Sequence, residues 1–170
     1  YEIDELIDQG LLEEDDNFYY SVYENGVYCY YKKGLGDTVK YPAEYKGKPV
    51  RAVGLDYTIR GGYNSGDVDF SEVKKVELPY TVWIIGAEAF KDYKNLTDIN
   101  IPEYLVSADH GCFRNCISLK ELHFPETMQY FSTNLFTGCD NLKAVYVKGD
   151  NYKKSNMVFS GSPIEDFTKE

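Results

Sequence analysis

The stretch from His110 to Cys116, HGCFRNC, sets one of the chain's two histidines beside two of its four cysteines. Imidazole and thiolate are zinc's favoured ligands, and a thiolate next to an imidazole is also a pairing used in nucleophilic catalysis. The spacing supports neither chemistry. No paired C-x-x-C accompanies it, and the second histidine, His123, belongs to a different segment. The chain also lacks a G-x-S-x-G elbow, a P-loop and a G-x-G-x-x-G turn. Carboxylates are plentiful, but their spacing nominates no acid–base pair, and a solvated acidic face is the ordinary reading. No catalytic residue, metal ligand or cofactor site is assigned, so enzyme activity is the least supported function.

The two cysteines do hold places in a period. The segments VELP, INIP and LHFP end in Pro79, Pro102 and Pro125, each 23 residues from the next. The same step carries Phe90 to Phe113, Phe136 and Phe159, and Val76 to Ile99, Leu122 and Val145. It also relates Leu96, Leu119 and Leu142; Leu78, Ile101, Phe124 and Val147; and Val82, Leu105 and Met128. Six columns in one register define an internal repeat. Cys116 and Cys139 share a place that Tyr93 fills one turn earlier, and Cys112 lies in the column of Ala89 and Leu135. These are interior places, where a thiol serves as small apolar filler. A Cys116–Cys139 disulfide between stacked turns is the alternative.

Such a repeat predicts a solenoid. Each turn supplies one short strand, and stacked turns align these strands in parallel about 4.8 Å apart, so that every column becomes a ladder. A proline after the strand ends the hydrogen bonding, because it has no N–H. AEAFKDYKNL, 87 to 96, returns along the other side as a helical or irregular turn. The segment LPYTVWIIGAEAFKDYKNLTDINIP, with its Pro, Ile-Gly, Ala-Phe and Leu at set offsets, resembles the BspA-type leucine-rich repeat of bacterial cell-surface proteins. GDTVKYPAEYKGKPVRAVG, 36 to 54, resembles an opening repeat, with Pro42, Val50 and Gly54 matching Pro79, Val82 and Gly86. The resemblance implies an α/β solenoid: a right-handed coil of about four 23-residue turns, with parallel strands on one face and a β-hairpin cap at its N-terminal end.

Departures from the pattern mark the boundaries. Residues 1–17 read as an acidic linker or short helix, with Ile3, Leu6 and Ile7 at helical spacing; 18–35 form the hairpin cap, and 36–170 the repeat domain. An insertion at about 59–72, rich in Gly, Asn, Ser and Asp, reads as a mobile surface loop. SPIEDF, 162 to 167, is the expected last strand, beyond which no C-terminal cap is evident. The chain begins with Tyr1 rather than Met, as expected of a processed or trimmed product without its export signal.

Two surfaces are candidates for binding. The first is the strip of strand residues that alternate outward: Lys75, Glu77, Asp98, Asn100, Lys120, Glu121, His123, Lys143 and Tyr146. Tyr80, Tyr104 and Tyr130 follow the strands and would extend it as an aromatic rim. The second lies in FYYSVYENGVYCYY, 18 to 31, where Asn25-Gly26 signals a hairpin. A turn at that pair puts Tyr20, Val22, Val27, Cys29 and Tyr31 on the capping face, and leaves Tyr23, Tyr28 and Tyr30 as an outward aromatic patch.

The 170 residues carry a net charge of −10, which opposes nonspecific binding to nucleic acid or anionic lipid, and no apolar run is long enough to span a bilayer. The resemblance implies a non-enzymatic recognition module of an exported, cell-surface bacterial protein, binding a protein or glycoconjugate in adhesion. The alternative is a structural spacer within a larger surface protein, without a ligand of its own.

Overall fold

The computed structural model of the protein describes residues 2–59 and 68–170. Helix α1, Ile3–Asp8, follows the helical spacing of Ile3, Leu6 and Ile7 and buries Leu6 completely. It is the only helix among the described residues, so the repeats themselves are β-strands joined by turns. Strands β1 (Glu13–Glu14), β2 (Phe18–Tyr23) and β3 (Gly26–Tyr31) form an antiparallel set. The solenoid follows with β4 (Thr38–Lys40), β5 (Glu44–Tyr45), β6 (Lys48–Val53), β7 (Lys75–Glu77), β8 (Ile84–Ile85) and β9 (Asp98–Ile99). It continues through β10 (Ser107–Ala108), β11 (Glu121–Phe124), β12 (Tyr130–Phe131), β13 (Ala144–Val147), β14 (Lys153–Lys154) and β15 (Thr168–Lys169).

Each turn contributes strands to two faces, not one. The pre-proline strands pair in parallel as β4-β7-β9 and β11-β13-β15, with a break between β9 and β11. A second parallel ladder, β6-β8-β10-β12-β14, runs along the adjacent face after the prolines. The coil makes about six turns rather than four, because the opening repeat and the degenerate last one both complete a pass. SPIEDF itself is not the last strand; β15 begins just after Phe167. Phe167 instead packs on Phe131, Tyr152 and Phe159, with ring centroids 4.5, 5.5 and 4.9 Å away.

Inside, the columns become stacks. Phe90, Phe113, Phe136 and Phe159 lie nearly parallel with successive centroids 5.7, 6.1 and 5.6 Å apart. The stack extends toward the N-terminus through Tyr41, 6.3 Å edge-on from Phe90, and Phe18, 5.2 Å from Tyr41. The four cysteines are free and buried. Cys116 Sγ donates to the Phe90 carbonyl at 3.1 Å and Cys139 Sγ to that of Phe113 at 3.0 Å, so the thiols fill space and satisfy main-chain acceptors. Burial pushes their pKa values up, that of Cys139 to about 12, which keeps them unreactive.

The third side of the coil is built from tight turns. Ala89, Lys91 and Tyr93 N–H groups bond within their own turn, to Gly86, Glu88 and Phe90 carbonyls. The alternating N–H groups of Glu88, Phe90 and Asp92 bond to His110, Cys112 and Arg114 in the next. This alternation needs left-handed backbone at fixed places, supplied by Asp92, Asn115, Gly138 and Gly161 in one column.

The N-terminal hairpin turns one residue earlier than Asn25-Gly26 predicts. Tyr23 pairs with Gly26 and Val22 with Val27, leaving Glu24-Asn25 as the loop. Gly26 is needed for close approach to β6: a Cβ there would lie 2.5 Å from Arg51 Cγ. The shift moves both strands together, so each residue keeps its face. Tyr20, Val27, Cys29 and Tyr31 are buried, while Val22 is half-buried. A left-handed two-residue turn does occur at Lys46-Gly47, with φ of 51° and 76°, joining β5 to β6. It absorbs the extra length of the opening repeat. The hairpin joins the second ladder, β3 pairing in parallel with β6. Most of the insertion expected at 59–72 lies outside the described residues, but Phe70 is buried and stacks on Tyr93 at 4.7 Å.

Two stability outcomes follow. Phe113→Ala removes the middle of the aromatic stack and should cost about 3–5 kcal/mol in urea unfolding. Gly138→Ala should destabilise more than Gly47→Ala: both glycines have φ of 76°, but only at Gly138 would the Cβ meet a neighbour, Asn115 Oδ1 at 2.2 Å.

Candidate functional site

Alternation along the pre-proline strands turns Lys75, Asp98, Asn100, Lys120, Glu121, His123 and Lys143 to solvent, with Glu77 and Tyr146 half-exposed. Much of the strip is occupied with itself. Lys75 Nζ lies 3.4 Å from the Glu77 carboxylate and 3.8 Å from that of Asp98. The Asn100 amide bonds both polar groups of the Leu78 backbone, accepting from its N–H at 2.7 Å and donating to its carbonyl at 2.9 Å. That residue therefore extends the β-ladder by its side chain. His123 stacks on Tyr146 with centroids 4.6 Å apart, and its ring nitrogens reach Glu170 at 3.0 Å and Glu121 at 3.3 Å. Among the described residues, Lys120 and Lys143 make no ion pair.

The hairpin patch is not retained as a unit. Tyr30 is 5% exposed and packs edge-on against Phe70, 6.4 Å away, which is a correction to its expected outward place. Phe70, near the end of the insertion, lies over that face, which the hairpin pattern by itself does not reveal. Tyr23 is exposed at its ring, but its hydroxyl donates to Asp56 at 2.5 Å and lies 2.5 Å from Thr58 Oγ1. Tyr28 is half-buried and meets Tyr23 edge-on at 6.0 Å. The patch is thus tied into the fold at each ring.

The HGCFRNC segment splits between inside and outside. His110 is exposed and pairs with Thr133 Oγ1 at 2.7 Å, whereas Cys112 and Cys116 point into the core. Among the described residues, no group of three or more His, Cys, Asp or Glu side chains is placed to hold a metal ion.

A different surface gathers exposed rings beside the second ladder. Trp83 and Tyr104 are 45% and 53% exposed, and Tyr80 and Tyr130 are exposed as well. Trp83, Val106 and Gln129 occupy successive rungs: Val106 N–H donates to the Trp83 carbonyl at 2.7 Å, and Gln129 N–H to that of Val106 at 2.8 Å. These residues and Tyr104 line a shallow groove of about 680 Å³, which Glu126 and Asn151 border. The Arg51 guanidinium lies 3.8 Å over the Trp83 ring and donates from Nη1 to the Thr81 carbonyl at 3.1 Å. Sequence reasoning found Tyr80, Tyr104 and Tyr130 but missed Trp83. Its place just after the buried Val82 column, where the chain alternates outward, was the available signal.

Stacked turns, two parallel ladders and a phenylalanine column define a leucine-rich repeat solenoid. A family model described as BspA type leucine rich repeat region (6 copies) matches residues 69–170, and the chain belongs to that family. Among solved structures, a leucine-rich repeat protein of T. pallidum is 26% identical, with a TM-score of 0.68. That alignment covers 84% of this chain and 63% of the T. pallidum chain, so the present chain spans under two-thirds of that relative. A leucine-rich repeat protein of Bacteroides capillosus is 20% identical over 82% of this chain and 99% of its own, with a TM-score of 0.66. A leucine rich cell surface protein of Faecalibacterium prausnitzii is 19% identical over 81% of this chain and 45% of its own, with a TM-score of 0.53. The latter two likenesses are of fold alone. No curated protein matches the chain. Among the described residues, no helix is long and apolar enough to cross a membrane.

The His123 clasp has a pH signature. The hydrogen bond to Glu170, joined by that to Glu121, raises the imidazole pKa above its ordinary 6.5, outweighing the opposing effect of burial. A raised folded value means the clasp contributes fully below about pH 6.5 and is lost as pH rises above it through the folded pKa. An NMR titration should give His123 a pKa above the ordinary one, and Glu170→Gln should return it toward 6.5.

Proposed function

We propose that this domain is a non-enzymatic recognition module of an exported bacterial surface protein, binding a protein or glycoconjugate in an adhesion role. The observation that carries this reading is the exposure of Trp83 and Tyr104 together on one groove, in a fold that packs most of its other rings inward. Exposed aromatic residues of this kind dominate binding energy at recognition surfaces. Membership of the BspA-type family supports a binding or structural module, and the F. prausnitzii neighbour described as a cell surface protein supports an exported location. The outward strip takes part through Lys120 and Lys143, the positions that its internal ion pairs leave available.

A second reading, a spacer without a ligand, is favoured by the self-pairing of Lys75, Asp98 and His123 along that strip. The two separate in a binding screen of the purified domain against extracellular-matrix proteins and glycoconjugates. The recognition reading expects at least one ligand, with binding weakened about tenfold or more by Trp83→Ala with Tyr104→Ala. Reversing charge at Lys120 and Glu121 together with His123→Ala should have a smaller effect. A screen without any ligand would favour the spacer.

A further inference from the structure

We infer that the Trp83–Tyr104 groove is a binding site for a neutral oligosaccharide, in which a pyranose ring stacks on the indole. This inference rests on the recognition reading above and names its ligand class. The groove's volume of about 680 Å³ lies within the range of small-ligand sites. Its platform is fixed in advance. Arg51 lies over the indole and is itself anchored on the Thr81 carbonyl, so Trp83 is held in place before a ligand arrives.

The chemistry beside the platform matches a sugar. A pyranose offers a flat C–H face and a rim of hydroxyls that both donate and accept. Trp83, Tyr104 and Val106 supply the apolar contact, while the amides of Gln129 and Asn151 each carry donors and an acceptor for hydroxyls. Because Gln129 stands two rungs beyond Trp83, about 10 Å along the ladder, the groove runs over more than one turn and suits a chain of sugars.

Charge selects a neutral occupant. Glu126 borders the groove, the Glu103 carboxylate hydrogen-bonds the Tyr104 hydroxyl, and the chain as a whole carries −10. An anionic ligand would be repelled by that field, and the Arg51 cation is already committed to Trp83 and Thr81. A neutral polyol meets no such repulsion.

Trp83 is the only tryptophan, so its emission reports on the groove directly. The intact domain is titrated separately with chitotetraose, cellotetraose and mannotetraose, with calorimetry in parallel. At least one should change Trp83 emission saturably, and the identity of that probe separates an N-acetylglucosamine chain from a plain glucan or mannan. Tyr104→Ala should weaken binding about tenfold, and Trp83→Phe should keep binding in calorimetry. Circular dichroism confirms that each variant is folded. Absence of both an emission change and heat with all three sugars overturns the proposal, as does binding undiminished in Tyr104→Ala. A matrix protein bound by the wild type and lost in Trp83→Ala would overturn the glycan class while leaving the recognition reading intact. If neither proteins nor sugars bind, both fall.

Discussion

Each turn of this solenoid leaves part of its backbone hydrogen bonding to be completed by the next. Along the tight-turn side, every second N–H group from Glu88 to Asp92 finds its acceptor one turn further on, and the same relation recurs from Gly111 to Asn115. Buried main-chain groups must be paired, so no turn can exist in this geometry without a neighbour in register. The remaining features follow from that requirement. Left-handed residues recur every 23 positions because they aim alternate N–H groups outward from the turn, and the stacked phenylalanines sit where the register places them.

The side chains that looked chemical serve the same end. Cys116 and Cys139 satisfy carbonyls of the preceding turn, and Asn100 stands in for a backbone rung at Leu78. Burial both hides the thiols and raises their pKa values, which removes them from nucleophilic chemistry. Types that suggest catalysis in another fold are here part of the lattice of the coil.

The two ends and the flank carry what is individual to this protein. At the N-terminal end, three antiparallel strands cover the edge of the second ladder, with Phe18 and Tyr41 carrying the aromatic stack into the hairpin. At the other end, Phe167 folds onto Phe131, Tyr152 and Phe159. Between them, the outward strip neutralises many of its own charges, whereas the flank after the prolines exposes rings beside a groove. Desolvating a ring is favourable on binding, while breaking a surface ion pair returns little, so the recognition role proposed above is assigned to the flank rather than to the strip.

The sequence by itself determined the period, the inward columns, the proline ends of the strands and the family, because each is a local pattern repeated at fixed spacing. It even fixed which hairpin residues share a face, since a joint shift of two strands preserves the alternation of side chains. Only the tertiary structure decided which of those faces stay open. Tyr30 is buried because Phe70, forty residues later, comes back over it, and Gly26 pairs with Tyr23 where a side chain would crowd Arg51. The second ladder was equally hidden, as two-residue strands such as Ile84–Ile85 and Ser107–Ala108 are too short to declare themselves without the neighbours they pair with. Exposure and register depend on contacts between distant segments, and those contacts exist only once the coil has closed.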